Sequence, residues 1–539
     1  MPPYMVQCSL VVSLTSLSIG YVIGSPNIPE SSIRGINDDC GANPFTIQHG
    51  FPNCFQFSDL LWGFAVGCFC LGACAGGLIG GTLQNRIGRV RSLLLSSLFF
   101  VFGSLVLGLT YHPIQFIIGR IFLGLACGLG GVAAPTYLGE ISTVHARGTL
   151  GTFHQLFLVI GLLLSNLVGL AWSAPPGWRF VLAVNGLPAL AQCFLLRSIV
   201  ESPRYLVSKM QLNEAQVVLQ KLRGAEADVD IEQEFQEIVQ LLLGAQLPVQ
   251  EKDTEESLPT VASAMSVQRV DSLGTISTGS TVIHSSAYTT LTTTTTTVPT
   301  LGGHHGEVEK FARQGTTGTR QEPYGIIELF QSECRGLAII GVLVHFLQQA
   351  SGINGLVYYS TSFLSSVFGS GLSKYITVGV SVCNFMGTIV GVYLIDRVNR
   401  KTLMVASFVG ISLSATLLVI GAYYDLGPLV AAAVFLYFAT FAFGLGPIPW
   451  LLPAEMLPTY ALSSTSSVAT GVNWIMNFVI GLTFPSLTKA LGNATFILFG
   501  AFTALGAVYI WYFVPETKSR SIEQIMAEMG VPARSGNKL

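Results

Sequence analysis

Long stretches without a single Asp, Glu, Lys or Arg constrain this chain more than anything else in it. They run from Leu60 to Asn85, Ser92 to Gly119, Gly148 to Trp178, Gly336 to Ser373 and Met456 to Thr488. A bilayer core about 30 Å thick needs roughly 20 apolar residues per helix, so these stretches are membrane spans. Only 10% of the 539 residues are charged, against roughly 25% in soluble domains. Of the 56 charged residues, 27 crowd between Glu201 and Glu333. A soluble enzyme, a nucleic-acid binder and a secreted disulfide scaffold are thereby excluded. The net charge of −2 adds nothing about partners.

Cutting at charges and at Pro/Gly clusters predicts twelve spans, near 5–25, 60–83, 92–111, 114–138, 149–171, 178–198, 335–366, 375–395, 402–424, 428–452, 462–486 and 493–514. The opening Met1 to Gly24 lacks a basic flank and a small-residue cleavage site, so it reads as a retained span. The predicted organisation is a six-helix bundle (1–200), an intracellular helical domain (201–245), a disordered Ser/Thr-rich insertion (246–325), a second six-helix bundle (326–515) and a tail (516–539). Within 202–243, Ala215, Val218, Leu219 and Leu222, then Phe235, Ile238, Leu241 and Leu242, recur at helical spacing. From about Glu251 to Gln321 the chain is rich in Ser, Thr and Gly, with unbroken Thr from 292 to 297, and cannot offset its ordering entropy. It is a spacer or a phosphorylated regulatory tail.

Basic residues set the orientation. Arg86, Arg89, Arg91, Arg147, Arg397, Arg400 and Lys401 lie in short loops after spans two, four and eight, against Arg34, Arg179, Lys374 and Lys489 on the other face. Both termini and the linker are therefore expected in the cytosol.

The two halves repeat. Asn85-Arg86-Ile87-Gly88-Arg89 returns as Asp396-Arg397-Val398-Asn399-Arg400, 311 residues later; Gly139-Glu140 returns as Ala454-Glu455, and Val200-Glu201-Ser202 as Pro515-Glu516-Thr517, each 315 later. Duplication predicts two pseudo-symmetric bundles with a site between them near mid-membrane.

A carrier of a polar solute needs uncharged hydrogen-bonding groups at that seam. The candidates are Gln155, Gln348, Gln349, Asn354, Asn384, Asn473 and Asn477, with Trp450 and Trp474 offering flat faces to the C–H side of a sugar ring. Amides donate and accept, which suits hydroxyls; their alternative use is as glue between helices. Pro447 and Pro449 sit in a Gly/Pro-crowded tenth span, which each kinks, making either a gate or a static bend. Tyr358 and Tyr359 are placed to close the other side. Arg86, Arg89, Glu140, Arg147, Glu201, Arg204, Arg397, Arg400, Glu455 and Glu516 end at one face. Bridging the seam, they form a lock on a two-state equilibrium; otherwise they only fix topology. No Asp or Glu falls in the middle third of any span, which disfavours proton coupling; His154 and His345 are the remaining titratable groups there. Cys40 and Cys54 share one polar loop and are placed to bridge in an oxidising compartment. The other cysteines read as small apolar residues. No metal-spaced cluster is present and no cofactor is expected. The one glycosylation sequon, Asn493-Ala494-Thr495, lies too near the membrane to be modified.

These motifs, with His154-Gln155, Glu201-Ser202-Pro203-Arg204, Gln348-Gln349-Ala350-Ser351-Gly352-Ile353-Asn354, Tyr358-Tyr359, Gly446-Pro447-Ile448-Pro449-Trp450, Asn473-Trp474 and Pro515-Glu516-Thr517-Lys518, resemble the sugar porter family of the major facilitator superfamily, and within it the facilitative glucose transporters. The resemblance covers all of the chain but 245–325. It implies an all-α fold of twelve transmembrane helices in two bundles with a cytosolic helical domain, and no enzymatic activity. By it Gln155, Gln348, Gln349, Asn354, Asn384 and Trp450 fall on hexose-contacting positions, with Asn473 and Asn477 close by. Proton-coupled relatives carry Gly-Tyr-Asp in the first span where this chain has Gly20-Tyr21-Val22. Departures are Ala442 in place of a frequent Glu, His345-Phe346-Leu347 in place of the Gln-Leu-Ser of some glucose-selective members, Leu462 in place of an arginine that would face Glu140, and the insertion. The implied protein is a monomeric hexose uniporter, with glucose the first candidate substrate, in a plasma membrane, with the lipid bilayer and a small sugar as partners and no nucleic acid. A proton–sugar symporter and a non-transporting sugar sensor are the alternatives.

Overall fold

The computed structural model describes residues 2–36, 47–48, 51–143, 147–224, 231–243 and 325–531. Cys40, the predicted disordered insertion and the end of the tail lie outside the described residues. Ten helical stretches among them are long and apolar enough to cross a membrane. Two of these, Arg335–Ile395 at 61 residues and Tyr460–Phe513 at 54, are long enough for two passes each, which gives the twelve predicted.

The first half contributes Pro3–Gly24, Asp59–Ile87, Arg89–Gly108, Pro113–Ile141, Arg147–Trp172 and Trp178–Ser198. In the second, Arg335–Ala350 ends at Gly352, whose φ of 78° only glycine adopts readily, and a new helix starts at Ile353. Gly369, at φ 77° and ψ 165°, breaks that helix and divides spans seven and eight. Arg400–Tyr423, a tenth span over Gly427–Met456, Thr459–Leu491 and Thr495–Phe513 complete the set. Three shorter helices, Pro203–Ser208, Leu212–Arg223 and Ile231–Leu243, follow the sixth span. They bury Ala215, Leu219, Leu222, Phe235 and Ile238, the apolar stripe that the helical spacing marks out.

The first-half helices pack through small residues, as helices do where no water drives them together. A Cβ on Gly124 would stand 1.9 Å from the Phe69 carbonyl oxygen, one on Gly161 2.0 Å from that of Leu17, and one on Gly20 1.8 Å from that of Leu158. Bulk at these points forces the backbones apart. Gly124→Val is expected to destabilise the detergent-solubilised protein by about 1–3 kcal/mol, seen as a lower thermal midpoint, whereas Gly81→Val, with nothing within 4 Å of its would-be Cβ, leaves the midpoint in place.

Candidate functional site

The two halves meet along spans two and eleven, and the meeting is a wedge. A Cβ on Gly63 would lie 2.6 Å from the Leu482 carbonyl, one on Gly67 3.3 Å from Phe478, one on Gly77 3.7 Å from Thr470, and one on Gly81 would meet nothing within 4 Å. The gap widens toward the face that carries the termini. At the opposite face polar side chains stitch the seam: Asn27 Nδ2 donates to Ser360 Oγ at 2.8 Å and Asn27 Oδ1 accepts from the Thr361 N–H at 3.1 Å. Asn166 Nδ2 donates to Ser381 Oγ at 2.7 Å, and Lys374 Nζ to Ser173 Oγ at 2.9 Å.

The tenth span breaks in the middle of the membrane. Its helix widens by one residue over Phe441–Leu445, passes Gly446-Pro447, and resumes over Ile448–Met456. Pro449 has no N–H to give the Leu445 carbonyl four residues back, and an unpaired carbonyl in hydrocarbon is costly. Gln348 supplies the missing donor: its Nε2 lies 2.6 Å from the Leu445 oxygen and 3.3 Å from that of Gly446. Pro447 and Pro449 are thus where the helix breaks, and Gln348 is what seals the break.

From Gln348 the amides run on as a chain. Asn473 Nδ2 donates to Gln348 Oε1 at 2.8 Å, Gln349 Nε2 donates to Asn473 Oδ1 at 3.2 Å, and Asn354 Nδ2 donates to Gln349 Oε1. Tyr358 Oη donates to Asn477 Oδ1, and Tyr359 Oη to the Gly481 carbonyl at 2.8 Å. Both tyrosines are buried. Tyr359 stacks on Phe484 with ring centroids 5.6 Å apart.

Counting donors and acceptors separates these residues. Both Gln348 N–H bonds are committed to the break, while Gln349, Asn354 and Asn473 each keep one free N–H. Asn384 and Gln155 make no side-chain hydrogen bond among the described residues. Asn384 is buried from the second half; Gln155, in the first half, lies 3.6 Å from the Cβ that Gly446 lacks. An uncommitted amide from one half therefore faces the broken helix of the other. Trp450 is 44% exposed beside it and meets the edge of His345 at 5.0 Å. Trp474 is buried with its edge toward Phe69 at 6.0 Å.

Among the described residues, the charged side chains of the terminal face form no ion pair across the seam in this state; those that pair do so inside one half. Glu140 holds Arg89 through two bonds of 2.9 and 2.8 Å, and Glu455 holds Arg400 at 3.4 Å. Glu201 Oε1 accepts the Arg89 N–H at 3.0 Å and Oε2 the Val90 N–H at 3.2 Å; Glu516 does the same for Arg400 and Lys401 at 3.0 and 3.2 Å. Each glutamate caps the N-terminus of a span whose first N–H groups have no other partner. Burial still raises the Glu201 carboxyl, opposed by those N–H bonds. The physical reason for the difference is the splay: with the halves apart on this face, acids and bases find partners only in their own bundle. Arg397 stacks on Tyr393 at 4.0 Å, the Arg86 carbonyl accepts from Tyr205 Oη at 3.2 Å, and Arg204 Nε is buried with no hydrogen bond among the described residues. The side chain of Arg147 lies outside the described residues. Cys54 is disulfide-bonded; its predicted partner, Cys40, lies outside the described residues.

Sequence reading missed Arg120. Fully buried, it donates to the Val22 carbonyl at 2.9 Å and to that of Val66 at 2.8 Å, and lies over the Phe69 ring at 4.6 Å. The signal was available: an arginine seven residues past the start of a helix that carries no other charge before Glu140.

Twelve membrane helices in two duplicated bundles, with uncharged amides along a one-sided seam, define a membrane carrier of the major facilitator fold. The model of the sugar (and other) transporter family matches residues 8–271 and 286–529, and the chain belongs to that family. It is a sugar transporter of the sugar porter group and not an enzyme. It is 29% identical over 558 residues to the facilitated glucose transporter member 2 of Mus musculus (96% of this chain, 92% of that one). It is 29% identical over 551 residues to member 3 of Oryctolagus cuniculus (100% and 94%). Its fold matches the inward-open, partially occluded xylose transporter XylE from E. coli with a TM-score of 0.68 at 22% identity, over 96% of this chain and 99% of that one.

Gln348 and Gln155 should part company on mutation. Gln348→Ala strands the Leu445 carbonyl and is expected to lower solute affinity and also stability, the latter by about 1–3 kcal/mol, seen as a lower thermal midpoint. Gln155→Ala lowers affinity alone; equilibrium sugar binding and thermal melting of the two purified variants separate the effects.

Proposed function

We propose that the chain is a uniporter that carries a hexose, glucose first among candidates, down its gradient by alternating access. The observation that carries this reading is the seam itself, where, among the described residues, Gln155, Gln349, Asn354, Asn384 and Asn473 keep unused amide capacity around the broken tenth span and no carboxylate pairs with them. Neutral donors and acceptors match the hydroxyls of an uncharged sugar, and the exposed Trp450 face suits a pyranose ring. Two curated relatives over nearly the whole chain are facilitated glucose transporters by name.

Coupling to protons needs an ionisable group that changes charge within the cycle. The buried Arg120 cation is met by the Val22 and Val66 carbonyls, with Val22 standing where an acid would be needed to pair with it. His154 is bound through Nδ1 to Ser16 Oγ at 2.7 Å and His345 to the Gly341 carbonyl at 3.0 Å, contacts that suit packing residues. The wedge, open toward the termini and stitched at the other face, supports an inward-facing state if the termini are cytosolic, as the arginine-rich loops favour. The same reading places a monomer in the plasma membrane.

Uptake of labelled glucose and other hexoses into transporter-deficient cells tests it: uptake unaffected by a protonophore is expected. Uptake that collapses with the proton gradient would replace uniport by symport through His154 or His345, and no uptake of any sugar would leave the sensor. Gln349→Ala is expected to weaken transport at least about tenfold, the equivalent of one lost polar contact; transport kinetics equal to the unmodified chain would remove Gln349 from the site.

A further inference from the structure

A second group of charges stands on the face opposite the termini, apart from the proposed sugar site. The short helix Glu30–Arg34 follows the first span on the face opposite the termini. Its Glu30 is buried, at 3% exposure, far from the terminal-face acids that the duplication pairs. Glu30 Oε2 accepts from Ser362 Oγ of the second half, and Glu30 Oε1 pairs with Arg34 Nη1 at 3.0 Å. Arg34 Nη2 pairs in turn with Asp59 Oδ1, and Asp59 Oδ2 with Lys489 Nζ of the second half at 2.8 Å. The result is one chain, Ser362–Glu30–Arg34–Asp59–Lys489, which starts in the second half, runs through three residues of the first and ends in the second again. Arg34 also lies over the Trp62 ring at 5.9 Å. The helix is fixed from behind, since the Ile33 carbonyl accepts the Phe55 N–H at 2.8 Å beside the disulfide-bonded Cys54.

We propose that Glu30, Arg34 and Asp59 are positioning residues of the transport cycle: they hold Ser362 and Lys489 across the seam and favour the state closed on the face opposite the termini. The three stay together as the halves rock, because all belong to the first half. Only the two outer links, to Ser362 and to Lys489, must break when this face opens. Four groups share a compact network, and a buried carboxylate stripped of its partners is penalised more than an exposed pair. The terminal face holds no comparable tie among the described residues, where Arg89–Glu140 and Arg400–Glu455 close within single halves. The strap thus gives the two faces unequal holds on the equilibrium between the two states.

The native Cys70 reports on the strap. It is fully buried at the seam, its thiol 3.9 Å from Tyr358 Oη of the second half, and opening of this face, which parts the two, is expected to expose it to water. Full-length chain in sealed vesicles is treated with a membrane-impermeant maleimide on the face bearing Asp59, and Cys70 labelling is read by peptide mass. Glu30→Gln and Lys489→Glu are expected to label about 3- to 10-fold faster than the unmodified chain, the scale of one or two ion pairs in a two-state equilibrium, and Lys489→Arg at the unmodified rate. Lys489 is 78% exposed, so its variants report even if Glu30→Gln does not fold. Unchanged labelling in Lys489→Glu, or labelling of Lys489→Arg as fast as of Lys489→Glu, overturns the inference.

A second readout rests on the transport reading: half-saturation for sugar offered at the strap face falls in Lys489→Glu and that for sugar offered at the other face rises. Maximal rates change in step, because a passive carrier must keep their ratios equal. A merely structural loss would lower both maximal rates and move neither half-saturation, which overturns the inference. Absence of transport by the unmodified chain defeats the transport reading, and the labelling still decides the strap.

Discussion

The Leu445 carbonyl has no water to turn to and no N–H from Pro449, so it must take its hydrogen bond from a side chain of another helix. Gln348 provides it, and that one bond ties the seventh span to the broken tenth. The amide chain of the second half follows from this tie. Gln348 spends its N–H groups on the break, Asn473 orients its oxygen, and Gln349 and Asn354 extend the chain toward the outer tyrosines. The residues that hold the helix break together are also those proposed to border the solute. Movement of the tenth span would then disturb Asn473, Gln349 and Asn354 as well, because hydrogen bonds link them to Gln348.

Duplication acts at the other end of the molecule. Glu201 and Glu516 make the same two backbone bonds at the same distances to the helices that follow spans two and eight. A carboxylate at a helix start is favourable for local reasons, the unpaired N–H groups and the helix dipole, and needs no partner in the other half. Each bundle is thus stapled internally and is free to move as a body. What joins the bundles changes along the seam, from backbone contact at Gly63 to open space at Gly81. A rigid pair of lobes touching at one end has the geometry that alternating access requires.

Charge is used differently on the two sides of this seam. In mid-membrane the Arg120 cation is met by carbonyl dipoles and an aromatic face, and the amides of the proposed site are neutral. Among the described residues the one ion pair between the halves, Asp59 with Lys489, stands at the rim, where water is near enough to receive the two charges when they part. A charged tie deeper in would have to be desolvated and resolvated on each cycle.

The sequence alone determined the membrane class, the twelve passes, the duplication and the family, because those are written in runs of composition and in spacing that no tertiary contact can disguise. The seven amides were legible too, since polar groups in hydrocarbon are few and each must have a use. Which of them is occupied was not legible: Gln348 and Gln155 are the same residue type in equally apolar surroundings, and only the approach of the tenth span commits one and spares the other. The spacing of Glu140, Glu201, Glu455 and Glu516 allows pairing across the seam in a state closed on this face; which partners they take depends on how far apart the halves stand, a property of the conformational state. Glu30, Arg34, Asp59 and Lys489 are scattered over some 460 residues of sequence. Nothing local marks them as one chain, and it is the docking of two folded bundles that brings them within a hydrogen bond of each other.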